Sequence, residues 1–151
     1  MATTDAKPLF IDTNILIYAN VVTAPFHTQA LDALKAAHRA GRPLWISRQV
    51  LREFIVARTR PQTFAQPATP AVIKERVRYL EGHFHIADDT SVVTDRLIKL
   101  IGDFSVGGKQ IHDANIVATL LAHDIPCLLT HNIKDFERFD KTIVIERINE
   151  A

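Results

Sequence analysis

Five short apolar runs, interleaved with longer stretches of helical periodicity, constrain this chain more than any other feature. Residues 8–11, 44–46, 84–87, 127–129 and 142–145 are each brief, largely apolar and bounded by polar residues. Runs of this kind read as strands buried on both faces, as in a parallel sheet. The spacing between them predicts helices. Residues 14–19 continue apolar after the first run, and Ala30, Leu31, Leu34 and Ala37 recur at helical spacing within 26–40, with Gly41 as a stop. Ser47 is a cap for a helix reaching about residue 59, and Thr69-Pro70 is a cap followed by a favoured first position for a helix over 70–81. Val93, Leu97, Leu100, Ile101 and Phe104 form one stripe over 90–104, and residues 111–123 form the most apolar helix. The segment 60–69, with Pro61 and Pro67, and the Gly-Gly segment 105–109 read as loops. Strands alternating with helices in this order predict an α/β fold, a three-layer α/β/α sandwich around a mainly parallel sheet. At 151 residues a single domain over 1–151 is expected.

Against that frame, four acids stand out. Asp12 directly follows Leu9-Phe10-Ile11, Glu53 lies inside Val50-Leu51-Arg52-Glu53-Phe54, Asp113 opens the apolar stretch 114–122, and Asp135 shortly follows the run 127–130. An ionised carboxylate at the edge of an apolar element is costly unless something positive meets it. With parallel strands, all four fall toward the carboxyl edge of the sheet, where α/β folds place their ligand sites. Carboxylates gathered there repel one another, and a hard divalent ion such as Mg²⁺ resolves the repulsion. Milder readings exist for each: helix capping for Asp12, a surface pair with Arg52 or Arg58 for Glu53, and a helix N-terminal acid for Asp113 or Asp135.

Charge adds a second hint. Net charge is only +1, yet residues 35–60 hold seven basic residues against one acid, a net +6. The rest of the chain holds eleven against sixteen, a net −5. Such asymmetry suits an anionic partner, with Arg48, Arg52, Arg58 and Lys109 as candidate phosphate contacts. No apolar stretch approaches the roughly 18 residues of a membrane span, and residues 1–8 lack the apolar core of a signal peptide. The lone Cys127 sits in an apolar run and reads as a small buried hydrophobe. No membrane partner and a cytoplasmic location are expected. Trp45 reads as core, and His112 as a rim residue because adjacent helix positions point about 100° apart.

The motifs together resemble a known family. Asp12-Thr13-Asn14-Ile15-Leu16-Ile17-Tyr18, the mid-chain Glu53, His112-Asp113-Ala114-Asn115-Ile116-Val117-Ala118 and Leu129-Thr130-His131-Asn132-Ile133-Lys134-Asp135-Phe136 are similar, in order and spacing, to PIN-domain ribonucleases. The likeness is strongest to VapC-type toxins of bacterial toxin–antitoxin pairs. It implies an endoribonuclease dependent on Mg²⁺, with Mn²⁺ as a substitute. It also implies a homodimer inhibited by a separate antitoxin whose tail fills the acidic groove. Carried over by position, Asp12, Glu53 and Asp113 are the core catalytic and metal-binding acids. The fourth is Asp135, since Asn132 stands where many relatives have Asp, and this leaves one ion or two open. Asn14, expected to orient Asp12, together with Thr130 and Asn132, is a supporting group, and Thr13 a plausible supporting hydroxyl. The implied reaction is attack by an activated water on the RNA phosphorus, oriented by Glu53 or Asp135, leaving a 5′-phosphate. Two other functions share part of this pattern. A haloacid dehalogenase-type phosphatase also begins with Asp after a strand but needs an acid two residues on, where this chain has Asn14. A PIN-like scaffold that binds RNA or protein without cutting is the other.

Overall fold

The backbone hydrogen bonds of the apolar runs are satisfied by one another. In the computed structural model, which describes residues 6–149, β1 (Leu9–Ile11), β2 (Leu44–Ser47), β3 (His85–Ala87), β4 (Cys127–Leu129) and β5 (Val144–Glu146) form one sheet in the order β3-β2-β1-β4-β5. Every pairing is parallel, so the expected sheet is wholly rather than mainly parallel. Leu9, Phe10 and Ile11 of the central strand are all buried, as a strand covered on both faces requires.

The helices are α1 (Thr13–Asn20), α2 (His27–Arg39), α3 (Arg48–Thr59), α4 (Pro70–His83), α5 (Ser91–Phe104), α6 (Gln110–Ala122) and the short α7 (Ile133–Phe136), which runs into a 3₁₀ turn over Glu137–Phe139. Their starts follow the cap chemistry of the sequence. Ser47 Oγ accepts the Val50 N–H at 3.2 Å, and Thr69 Oγ1 accepts that of Val72 at 3.3 Å, with Pro70 at the first helical position. The helix over 70–81 runs two residues further, to His83. The last strand is displaced from 142–145 to 144–146, because the Thr142 and Ile143 N–H groups are spent on the Phe139 carbonyl in the turn before it.

From β1 the chain steps one way to β2 and β3, then crosses back past β1 to β4 and β5. Right-handed crossovers in opposite directions place α1–α4 on one face and α5–α6 on the other, giving three layers. The order reverses between β1 and β4, which puts a crevice at their carboxyl ends. Among the described residues no helix is long and apolar enough to cross a membrane.

Candidate active site

Asp12 sits at that reversal. It leaves β1 as the N-cap of α1 and is only 6% exposed. Its Oδ1 accepts the Thr13 N–H at 2.8 Å, and its Oδ2 accepts the hydroxyl of Thr130, the residue that leaves β4, at 2.7 Å. Capping and site membership are therefore two uses of one carboxylate. Neither donor is charged. Burial pushes its pKa up to about 6; the two hydrogen bonds oppose this, and the charges of Glu53 and Asp113 add to it.

Glu53 reaches the same place from α3. Its Oε1 accepts the Thr13 hydroxyl at 2.8 Å, and its Oε2 accepts Gln49 Nε2 at 3.0 Å. Asp113 arrives in the first turn of α6, half-buried. Its pKa is also raised to about 6, first by burial, then by Asp135 and Glu53, while His112 and Arg138 pull it down. Asp12, Glu53 and Asp113 line one open pocket of about 350 Å³ together with Thr13, Asn14, Asn132 and Arg60.

The remaining candidates separate. Asp135 is exposed on α7 and does not line the pocket, although its charge is felt by Asp113. Asn132 does line it. Thr130 is fully buried and also accepts the Asn132 N–H at 3.1 Å, so it joins Asp12 to the loop after β4. Asn14 lines the pocket, but its Oδ1 accepts the backbone N–H of His131 at 3.2 Å. It braces that loop rather than orienting Asp12. Asn14 also stands two residues after Asp12, where a haloacid dehalogenase-type phosphatase would need an acid.

The basic candidates divide as well. Arg48 does not line the pocket and is engaged in ion pairs to Glu81 at 2.7 Å and Asp88 at 3.7 Å. Arg58 is half-buried and does not line the pocket, and among the described residues its shielded Nη1 has no hydrogen-bond partner. Arg52 and Lys109 are exposed outside the pocket. The cation that lines it is Arg60, at the end of α3, counted in the basic stretch but not singled out by the sequence. Two further polar residues without an assigned role in the sequence stand beside the acids. Gln49 is 8% exposed one turn before Glu53, and Asn115 lies two residues after Asp113. The spacing of four to Glu53 was the available signal for Gln49.

The donor set consists of hard oxygens, which suits Mg²⁺ or Mn²⁺ and not a softer metal. Among the described residues no three acidic, His or Cys side chains stand close enough to grip one ion directly. This fits the expectation that one or two carboxylates touch an ion directly while the others hold its waters or a second ion. The four acids sit on separate elements, and an ion here would touch one or two carboxylates and reach the others through water, as Mg²⁺ commonly does.

The chain resembles several solved proteins. VapBC2 from Rickettsia felis, bound to a DNA fragment from its promoter, is 19% identical with a TM-score of 0.70, over 93% of this chain and 98% of that one. A toxin–antitoxin complex from Klebsiella pneumoniae is 27% identical, TM-score 0.60, over 86% of this chain and 90% of that one. VapC20 from Mycobacterium tuberculosis, described as a sarcin-ricin loop cleaving toxin, is 12% identical, TM-score 0.65, over 95% and 98%. At 19% and 12% identity the first and third attest the fold. No curated protein matches the chain significantly. The PIN domain family matches residues 9–142, which takes in all four acids and the whole pocket. The chain belongs to the PIN domain family.

Proposed function

We propose that this protein is a metal-dependent endoribonuclease, the toxin of a toxin–antitoxin pair acting in the cytoplasm. One observation carries the reading. Three acids from three separate elements converge on one pocket at the reversal of the sheet, and among the described residues no cation donates a hydrogen bond to Asp12. PIN domains work with divalent ions, and the oxygen donors here fit Mg²⁺, with Mn²⁺ as a substitute. A bound divalent ion supplies Lewis acidity and lowers the pKa of water.

Asp12 and Asp113 are the groups that hold such an ion. Glu53, pinned through both oxygens, orients the attacking water and accepts its proton. Arg60 meets the non-bridging oxygens of the scissile phosphate, where a guanidinium is most useful. The 3′-oxygen leaves, so the products carry a 5′-phosphate and a 3′-hydroxyl. Asp135 tunes Asp113 from outside the pocket.

A groove between α2 and α4 suits the antitoxin. Its floor includes Leu34, Leu80 and Phe84, its rim includes Lys35, Arg39 and Arg76, and among the described residues no acid lines it. An amphipathic segment with acidic flanks fits that combination, and the likeness to toxin–antitoxin complexes supports it.

The test is cleavage of structured RNA by the purified chain. Mg²⁺ should support cutting, EDTA should stop it, and Asp12→Asn or Asp113→Asn should reduce it on the order of 10³-fold. Undiminished cutting in EDTA, or by both variants, would refute the assignment.

A further inference from the structure

Gln49 is the one polar residue among the buried positions of α3, in company with Val50, Leu51, Phe54 and Ala57. A buried amide is costly unless its hydrogen bonds are made. Here they are. Nε2 donates to Glu53 Oε2 at 3.0 Å and to the His112 carbonyl at 2.9 Å, and Oε1 accepts Asn115 Nδ2 at 2.8 Å. The pattern fixes the orientation of the amide. A flipped Gln49 would set its oxygen against a carboxylate and a carbonyl, and its NH₂ against the NH₂ of Asn115.

The geometry points to Gln49, held by Asn115, as the positioning residue that fixes Glu53 relative to Asp113. The inference rests on the functional reading above. Its one side chain ties the acid of α3 to the first turns of α6, where Asp113 and Asn115 lie. From the opposite side the Thr13 hydroxyl takes Oε1. Glu53 is thus gripped at both oxygens by uncharged donors. Its rotamer is set and its charge is not cancelled, so the negative charge stays available to the pocket. An arginine at position 49 would hold Glu53 equally well and neutralise it.

The test compares the full-length wild type with Gln49→Met, which keeps the volume and removes every hydrogen bond, and with the milder Asn115→Ala. Three readouts are taken: the ¹³C carboxyl resonance of Glu53, Mn²⁺ affinity by electron paramagnetic resonance, and RNA cleavage. For Gln49→Met we expect a displaced or averaged Glu53 resonance and Mn²⁺ affinity weaker by roughly 10–100-fold. The kcat should fall by a similar factor while KM stays within about two-fold. Asn115→Ala should show the same signs at smaller size, which keeps the test alive if Gln49→Met fails to fold. An unmoved Glu53 resonance, or unchanged Mn²⁺ affinity and kcat with only a lowered melting temperature, overturns the inference and makes Gln49 a simple brace between α3 and α6. If the wild type neither binds Mn²⁺ nor cuts RNA, a Glu53 resonance that still moves in Gln49→Met supports the positioning and overturns the nuclease reading instead.

Discussion

Two acids at the ends of the strands beside β4 are treated by the chain in opposite ways. Glu146, closing β5, is gripped by Arg42 through both oxygens at 2.9 and 2.7 Å, and Arg42 is anchored further on the Lys7 carbonyl at 2.8 Å. The guanidinium holds the Glu146 carboxyl below its ordinary range. Asp12, following β1, is more deeply buried and is met only by a hydroxyl and an amide. Its pKa moves up, to about 6. Thr130 touches both, donating its N–H to the Glu146 carbonyl at 3.1 Å and its hydroxyl to Asp12. The same chemical group at a strand end is thus a paired acid where an arginine is supplied and, in the function proposed above, a metal-holding acid where the donors are uncharged. Strand-end acids in α/β proteins can be sorted by the formal charge of their donors.

That contrast can be broken by substitution. The largest expected effect is Asp12→Asn, which should cut RNA cleavage on the order of 10³-fold while leaving the metal-free protein as stable or more stable, by up to about 3 kcal/mol at neutral pH. A thermal melt beside a cleavage assay checks it, and a large loss of stability would mean that Asp12 is structural after all. Next is Arg42→Met. It strands Glu146 half-buried and should destabilise by about 2–4 kcal/mol, with kcat and KM of the remaining folded protein unchanged. Reduced catalysis in that variant would erase the distinction between the two acids.

The pH dependence of stability follows the same division. Asp12 and Asp113 have raised pKa values, so the stability they contribute is fully present below about pH 4 and is lost as pH rises through about 6. Glu146 is lowered, so its contribution is present above its unfolded value of 4.5 and is lost as pH falls through its folded value. The melting temperature of metal-free protein should therefore rise from pH 7 to pH 5 and fall under stronger acid. Asp12→Asn should flatten the rise, and Glu146→Gln should flatten the fall. The smallest effect separates two arginines. Arg60→Ala should raise KM for RNA roughly 10-fold, whereas Arg48→Ala, which breaks an exposed pair, should leave it unchanged.

The fold was legible because its signals are local. Short apolar runs, Ser47, and Thr69 before Pro70 each act within a few residues, and the structure uses each of them. Asp12 and Asp113 were legible for a related reason, as an acid beside an apolar element is anomalous on sight. Gln49 and Asn115 were not. Their bond spans 66 positions, and two neutral amides leave no charge anomaly to notice. The arginines could not be ranked either. Arg48 and Arg60 carry the same charge on one helix, and only their place along α3 and the presence of Glu81 send one away from the pocket. The fourth acid divided for a geometric reason. Asn132 comes immediately after the loop residue His131 and meets the pocket, while three further residues carry Asp135 onto α7.

The central place of β1 has a kinetic meaning. The Asp12 N–H donates to the Leu129 carbonyl at 3.0 Å, between the two innermost strands, so its exchange with solvent deuterium requires the sheet itself to come apart. The floor of the pocket therefore melts only with the whole fold, whereas α7, four residues long, can open on its own. A partner that silences this site is therefore expected to cover it rather than to unfold the strand end that carries Asp12.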